Sequence, residues 1–220
     1  FTPAQVVGHF VLAVTFTVLA ISGFALRYPD SWWMHVLMLG DSGLAMRAEI
    51  HRATAVIFSA LMLANLIHLV AWKSGRKELA SLWLRVKDFV DLGINMRHAV
   101  GLSKERPRYD RYSYSEKFEY WGLWWGAVLM IVTGVAMWKV GWFLAMFPKY
   151  VLDIVALVHF YEAILAVSTI VVWHIYHMVF DPENYPMNWS WVTGRITEED
   201  FKARHTLEYE RAQAEEGEKD

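Results

Sequence analysis

The sequence predicts an all-α integral membrane protein that folds as a four-helix bundle. Of its 220 residues, 55% are hydrophobic and 12 are Trp, a composition that favours lipid over water as the main solvent. Charged residues are nearly absent from four long apolar runs and concentrate between them. This distribution, and not the small net charge of −2, determines the predicted fold class.

Each of the four runs is long enough to cross about 30 Å of hydrocarbon as a helix. They are Val6–Leu26, Ala53–Trp72, Tyr120–Trp138 and approximately Val151–Phe180. The fourth run exceeds the required length, so we expect it to extend past the membrane surface and to end at Asp181-Pro182, where proline forbids further helix.

The basic residues predict the orientation, because cytoplasmic loops retain Lys and Arg. Eleven basic residues lie between Lys73 and Glu119, whereas the connections on the opposite side contain five. This asymmetry predicts that the middle loop and both chain termini are cytoplasmic.

The remaining segments predict surface structure. The first outer connection, Ser31–Ala48, mixes Trp and aliphatic residues with polar ones, as in a short helix lying in the membrane interface. From Asp181 onward the chain has five basic and eleven acidic residues. We therefore predict a transmembrane domain over residues 1–190 and a polar acidic cytoplasmic tail over 191–220, with a solvated or disordered end.

The chain contains no cysteine. Its absence excludes disulfides, iron–sulfur clusters and thiolate metal sites within this chain, and also covalent attachment of a c-type haem. Any haem must therefore be held without thioether bonds.

Histidines are the residues that point most strongly to a function. Six of the nine lie in or at the ends of the apolar runs: His9, His51, His68, His159, His174 and His177. Ionisable side chains are costly in hydrocarbon, so their presence there indicates a functional site.

Depth along the helices predicts two pairs of haem ligands. His51 and His159 lie near the outer side, while His9 and His174 lie near the cytoplasmic side. On an ideal helix, His174 is about 22 Å beyond His159 and turned by only about 60°, so both can face the bundle interior. Two imidazoles from different helices can supply both axial ligands of a b-type haem iron, which predicts two haems stacked across the membrane.

Two further histidines leave the inner site open. His68 and His177 are alternatives to His9 and His174 as ligands of the inner haem, or they form the edge of a quinone pocket beside it, or they bind a third haem. Interfacial anchoring explains them equally well. We expect the other histidines, His35, His98 and His205, to face solvent.

A faint internal repeat relates the first helix pair to the second. Ser22-Gly23 precedes the run opened by His51, and Thr133-Gly134 precedes the run that carries His159. Gly23 and Gly134 lie near the depth of the outer haem, where a glycine lets a porphyrin face approach the backbone. Ordinary helix packing is the alternative. Glu162 shares a helix face with His159 and is predicted to bond a neighbouring helix or to lie at a haem edge.

In order along the chain, these motifs resemble the di-haem cytochrome b subunits that anchor bacterial formate dehydrogenases, hydrogenases and thiosulfate reductases and that also partner multihaem cytochromes c. The resemblance covers nearly the whole chain. It rests on the opening Phe-Thr-Pro-Ala-Gln with His9 and Ser22-Gly23, on His51-Arg52, on the segment 112–121 that leads to Thr133-Gly134, on His159-Phe-Tyr-Glu162, on Trp173-His174-Ile-Tyr176, and on the exit from Asp181-Pro182 to Thr193-Gly194.

The resemblance implies haem iron ligands at His9, His51, His159 and His174, with a quinone site at the cytoplasmic haem. It also implies a bacterial inner-membrane electron-transfer subunit of a quinone oxidoreductase complex. The expected partners are membrane lipid, quinone or quinol, and a periplasmic multihaem cytochrome c or iron–sulfur or molybdenum subunit, with no nucleic acid. Two alternatives remain: a transporter that uses intramembrane histidines for a metal ion or proton, and a non-redox membrane anchor.

Overall fold

The computed structural model describes residues 2–33, 43–180, 187 and 189–217. Part of the predicted interfacial helix Ser31–Ala48, the predicted helix end at Asp181-Pro182 and His35 lie outside these residues. Two compact units are present. Unit 1 comprises Phe1–Leu66 and Trp125–Gly194, and unit 2 comprises Ile67–Trp124 and Arg195–Asp220.

Every regular element in the described residues is helical, which confirms the predicted fold class. In chain order the α-helices are α1 Pro3–Arg27, α2 Leu44–Ala71, α3 Lys73–Leu82, α4 Val86–Ala99, α5 Tyr114–Trp138, α6 Val140–Met146, α7 Lys149–Ser168, α8 Ser190–Thr193, α9 Glu198–Arg204 and α10 Thr206–Gly217. Two π-helical segments, Thr169–His174 and Tyr176–Phe180, extend α7.

Four of these helical stretches are long and apolar enough to cross a membrane, as predicted: α1, α2, α5 and the continuous Lys149–Phe180. The helices begin earlier than the apolar runs. Thr2 starts α1 because its hydroxyl and the Gln5 side chain cap each other's backbone N–H groups, and Pro3 fits the first helical position. Helix α2 begins at Leu44, nine residues before the predicted span, because backbone hydrogen bonding continues through polar residues at the interface.

Unit 2 contains the corner between α2 and α3, which is built on close backbone contact. The backbone N–H of Trp72 donates to the His68 carbonyl at 3.2 Å, and the Arg76 guanidinium donates to the carbonyls of Val70 and Ala71 at 2.9 and 3.1 Å. A Cβ on Gly75 would lie 2.7 Å from the His68 carbonyl carbon. Only glycine therefore fits the position where α3 folds back on α2.

A buried ion pair joins α4 to the start of α5. The Lys117 ammonium donates to both carboxylate oxygens of Asp88 at 2.8 and 3.0 Å, and each side chain is less than a tenth exposed. Asp88 also accepts the Arg85 backbone N–H at 2.7 Å at the first turn of α4. The same helix places Asn95 beside Tyr114, whose hydroxyl accepts at 2.8 Å.

The acidic tail forms helices α9 and α10 where it is described, and the last residues, 218–220, lie outside the described part. The predicted solvated or disordered end stays a prediction. Helix α10 is tied to the loop before α5 by ion pairs of Arg108 with Glu210, Arg111 with Glu208 and Arg211 with Asp110. These exposed pairs add little stability individually, but they give the acidic residues basic partners. Composition alone does not reveal such partners, since they lie about 100 residues away.

Candidate functional site

His51 on α2 and His159 on α7 face each other in unit 1. Their ring centroids are 6.4 Å apart and their planes are inclined by 70°. Both side chains lie on helices that are long and apolar enough to span a membrane. The structure thus brings together the two histidines whose depths match on the predicted outer side.

Each of these imidazoles is held by a hydroxyl from the preceding membrane-spanning helix. Ser22 Oγ on α1 lies 2.9 Å from His51 Nδ1, and Thr133 Oγ1 on α5 lies 2.8 Å from His159 Nδ1. Each hydroxyl also donates to a carbonyl four residues earlier in its own helix, at 2.6 Å in both cases. Since a hydroxyl has one proton, its oxygen accepts from the imidazole Nδ1–H. Both rings are thereby fixed with Nε2 unprotonated and able to bind a metal ion.

The glycine after each hydroxyl makes room for the ring that the hydroxyl binds. A Cβ on Gly23 would lie 3.2 Å from His51 Cε1, and one on Gly134 would lie 3.4 Å from His159 Cε1. The two glycines therefore contact imidazoles, and their predicted packing against a porphyrin stays a prediction. Hydroxyl, glycine and imidazole recur in the same arrangement in both helix pairs, as the sequence repeat suggests.

A second pair lies in the same unit, formed by His9 on α1 and His174 in the π-helical segment. Their ring centroids are 6.3 Å apart and their planes are inclined by 41°. Trp191 on α8 lies edge-on to His9 at 5.7 Å. Among the described residues, no hydrogen-bond partner reaches the buried Nδ1 of His9. This pair therefore lacks the symmetric clamps of the first.

The π-helical geometry alters the spacing assumed for the end of the fourth span. The α-helical phase that places His174 and His177 relative to His159 holds only as far as Ser168, because π-turns have i→i+5 hydrogen bonds and more residues per turn. His174 nevertheless lies opposite His9. Segments of π-helix are rare and occur frequently at functional sites.

Both pairs have the spacing of axial ligands on one metal ion. Metal–nitrogen bonds to imidazole are about 2.0 Å long, so two imidazoles bound on opposite sides of an ion have ring centroids roughly 6 Å apart. The observed 6.3 and 6.4 Å meet this requirement. In the part of the chain that the structure describes, Nδ1 of His51 and of His159 bonds a hydroxyl, and Nδ1 of His9 has no hydrogen-bond partner. Nδ1 of these three rings is therefore not used to bond the opposite imidazole.

The other histidines have different surroundings. His68, in unit 2, stacks on Trp72 at the end of α2 with centroids 5.7 Å apart. His177 packs against Trp173 and Tyr176. His98 and His205, which we expected to face solvent, are half-buried, and each has Nδ1 3.0 Å from a loop carbonyl. Their ring nitrogens fasten loops of unit 2, which corrects that prediction.

Glu162 turns toward α5, as the sequence suggested for a residue that contacts a neighbouring helix. Its Oε1 lies 2.7 Å from the position that a Cβ on Gly126 would take, so the carboxylate packs against the α5 backbone at this glycine. Gly126 itself is buried. A haem-edge role for Glu162 is not tested by this contact.

Three arginines of unit 1 lie at the end of α1 and near the start of α2. Arg27 lies over the Phe160 ring at 5.2 Å, and Arg52 lies over Trp138 at 5.8 Å. Arg47, one turn before His51, is 5% exposed and donates to the Pro29 carbonyl at 3.3 Å. Within the described part of the chain its buried Nε has no hydrogen-bond partner. An anionic group would satisfy that nitrogen.

Residues 1–184 match the family described as prokaryotic cytochrome b561. The chain belongs to this family. As a member of the cytochrome b561 family with four apolar spans, it is a multi-pass protein of the bacterial inner membrane. It binds b-type haem and takes part in electron transfer. Among the described residues, the His51–His159 and His9–His174 pairs have a spacing that is compatible with haem ligation.

A curated relative of this cytochrome is the "Formate dehydrogenase, cytochrome b556 subunit" of Haemophilus influenzae (strain ATCC 51907 / DSM 11121 / KW20 / Rd). The two are 28% identical over 196 residues, which cover 89% of this chain and 71% of the relative. The similarity agrees with the cytochrome b subunits that the motifs resemble.

Sequence reasoning missed the hydroxyl clamps and Trp191. The repeat of a hydroxyl residue and glycine ahead of a histidine is the signal that would have revealed Ser22 and Thr133 as partners of the imidazoles. Trp191 follows the last span in a segment without helical periodicity, so nothing in the pattern places it beside His9.

Proposed function

We propose that this protein is a di-haem cytochrome b subunit that passes electrons between the membrane quinone pool and a periplasmic redox partner. The observation that carries the proposal is the presence of two separate His–His pairs, each with ring centroids spaced for one haem iron. One haem belongs between His51 and His159, and the other between His9 and His174. When bound, haem supplies one-electron iron chemistry that the side chains of this chain lack.

The chain's own residues hold and orient the ligands. Ser22 and Thr133 keep Nδ1 of His51 and His159 protonated, which presents Nε2 to the iron and makes each imidazole a stronger electron donor. The apolar spans exclude water from the ligands, which lowers the local dielectric constant and so favours the less charged state of the site. Arg47 lies four residues before His51, on the same face of α2. It is suited to bind a haem propionate, because in the described residues its buried Nε has no hydrogen-bond partner.

The quinone end belongs to the His9–His174 haem. Oxidation of a quinol releases two electrons and two protons, so the site requires groups that exchange protons as well as an electron acceptor. His68 and His177 are the candidates for its edge, with ligation of a third haem as their alternative role. The similarity to the formate dehydrogenase cytochrome subunit of Haemophilus influenzae supports a dehydrogenase-type partner. We propose two partner classes for this chain: a multihaem cytochrome c, or an iron–sulfur or molybdenum subunit. The basic residues of the middle loop support a cytoplasmic location of both termini.

Haem counting in single-histidine variants tests the ligand assignment. Purified wild-type protein should contain two b-type haems per chain by its reduced pyridine haemochrome spectrum. His51→Ala and His159→Ala should each lose one haem, and the double variant should lose no more than either single variant. His98→Ala is the matched control, because His98 contacts only loop groups in the described contacts, and it should retain both haems.

The second half of the test concerns the quinone end. His9→Ala and His174→Ala should remove the other haem and abolish reduction by quinol in vesicles. A wild-type protein with one haem, or loss of a haem from His68→Ala with none lost from His9→Ala, would overturn the assignment. Retention of two haems without any reduction by menaquinol or ubiquinol would overturn the quinone role and leave the haem sites intact.

A further inference from the structure

Helix α4 has the reverse of the polarity expected for a surface helix in water. Its apolar side chains Val86, Phe89, Val90 and Met96 are 80%, 56%, 54% and 62% exposed. At 100° per residue they fall within about 120° of the helix circumference, so they form one stripe. This stripe is called the outward face of α4.

The opposite side of α4 buries its acids inside the protein. Asp88 and Asp91 are 3% and 5% exposed, and they pair with Lys117 and Lys87. Burial of a carboxylate is costly unless it is paired, so these contacts fix which side of the helix is inside. The buried ion pairs therefore fix the rotation of α4 about its axis, and with it the direction of the outward face.

The outward face continues onto the membrane-spanning surface of α5. The ring of Phe89 lies 5.9 Å from Phe118, which is in the first turns of α5. Trp83, just before α4, lies 5.5 Å from Trp121, and Trp121 Nε1 donates to the Leu82 carbonyl at 2.9 Å. Tryptophan pairs at the end of a span are typical of the membrane–water interface. These contacts place α4 at the level where α5 enters the bilayer.

Charge on the outside of α4 complements an anionic lipid surface. The two acids are buried, while Arg85 and Arg97 are exposed. Arg97 lies within the arc of the apolar stripe, where a long stem can pack on hydrocarbon while the guanidinium reaches a phosphate. An apolar stripe with basic residues along it is the pattern of a helix that lies in the interface plane.

We propose that α4 lies flat in the membrane interface, with Val86, Phe89, Val90 and Met96 inserted among lipid chains and its basic residues on anionic headgroups. The occupant of this face is the bilayer itself, since the face is continuous with a span that the membrane already covers. The helix thereby anchors the segment between the second and third spans to the lipid surface. The proposal does not depend on the number of haems or on the quinone.

Because the protein has no cysteine, single-cysteine variants give unambiguous site labels. Nitroxides are attached at Val90→Cys and Met96→Cys in the full-length protein, reconstituted into phosphatidylethanolamine–phosphatidylglycerol vesicles. Collision with lipid-soluble oxygen is compared with collision with a water-soluble nickel chelate. Val132→Cys, at a 62% exposed position in the α5 span, serves as the lipid reference, and Lys104→Cys, in the exposed loop, serves as the water reference.

We expect the logarithm of the oxygen-to-nickel ratio to be positive at positions 90 and 96, as at 132, and negative at 104. A negative value at both test positions would place the face in water and overturn the proposal. Protection from both reagents would overturn it in favour of a protein partner or a second copy. Retained b-type haem absorbance verifies that each variant is folded.

Discussion

Ser22→Ala and Thr133→Val test whether the hydroxyl clamps prepare His51 and His159 for a metal ion. Each substitution removes the oxygen that accepts the Nδ1–H, at 2.9 and 2.8 Å, with little change in volume. Ser22 is fully buried, so water cannot easily take the place of the hydroxyl. The imidazole N–H is then left unpaired in an apolar site.

The magnitude follows from that unpaired donor. A buried polar group without its partner costs about 1–3 kcal/mol, which corresponds to a roughly 5- to 150-fold loss of haem affinity at this site. The lost bond also weakens electron donation by the imidazole, so the oxidised iron is less stabilised. We therefore expect the reduction potential of this haem to rise, and that of the His9–His174 haem to stay unchanged.

The assay is haem retention during detergent dilution, combined with a redox titration of the b-type absorbance. Thr15→Val is the matched control for Thr133→Val, because Thr15 is also buried and donates to the carbonyl four residues earlier, at 2.8 Å. Ser59→Ala is the control for Ser22→Ala, with a 2.7 Å bond of the same type. Both controls should retain haem and potential. Wild-type behaviour of both Ser22→Ala and Thr133→Val, or an equal loss in the controls, would refute the reasoning.

Three further substitutions probe features elsewhere in the chain. Gly75→Ala should destabilise the protein strongly, by more than about 3 kcal/mol, because its Cβ meets His68 and Leu69 backbone that cannot give way. Asp88→Asn should lower the free energy of unfolding by about 3 kcal/mol, since the Lys117 ammonium is left buried without its anion. Arg47→Gln should reduce retention of the His51–His159 haem roughly tenfold, through loss of one charge-assisted hydrogen bond.

Each of these has its own measurement and control. Thermal unfolding followed by circular dichroism reports on Gly75→Ala and Asp88→Asn. Gly93→Ala, with open space around its Cβ, should be neutral or stabilising, and an equal loss there would remove the steric explanation. Asp153→Asn breaks an exposed pair with Lys149 and should change stability by less than about 1 kcal/mol. Arg52→Gln is the control for Arg47→Gln, because the Arg52 guanidinium already pairs with Glu49 and its side chain is 41% exposed. Comparable haem loss in both variants would contradict a specific anion site.

The four spans could be predicted because lipid imposes a length and a composition that hydropathy measures directly. Helix ends could not, because hydropathy reports the edge of the hydrocarbon and not the end of backbone hydrogen bonding. Helix α2 illustrates the difference, since it runs through Arg47, Glu49 and Arg52 before reaching the apolar run.

The histidines of the candidate site could be predicted from the sequence, but the side chains that hold them in place were missed. Depth along straight helices pairs His51 with His159, because rise per residue is nearly constant. A Ser or Thr in a span ordinarily bonds its own helix, so neither Ser22 nor Thr133 by itself indicates a second bond to an imidazole. Only the repeat of a hydroxyl residue and glycine ahead of a histidine carries that signal. The orientation of α4 depends on the pair of Asp88 with Lys117, which is 29 residues further along the chain. A local sequence pattern cannot predict a contact between residues so far apart in sequence.

The repeated arrangement of hydroxyl, glycine and imidazole means that each helix pair carries half of one site. The first pair keeps Ser22, Gly23 and His51 together, and the second keeps Thr133, Gly134 and His159 together. A chain cut in its middle loop would therefore yield two fragments with intact clamps and separated ligands. Binding of haem between His51 and His159 would then require both fragments, so the cofactor itself would report their reassembly.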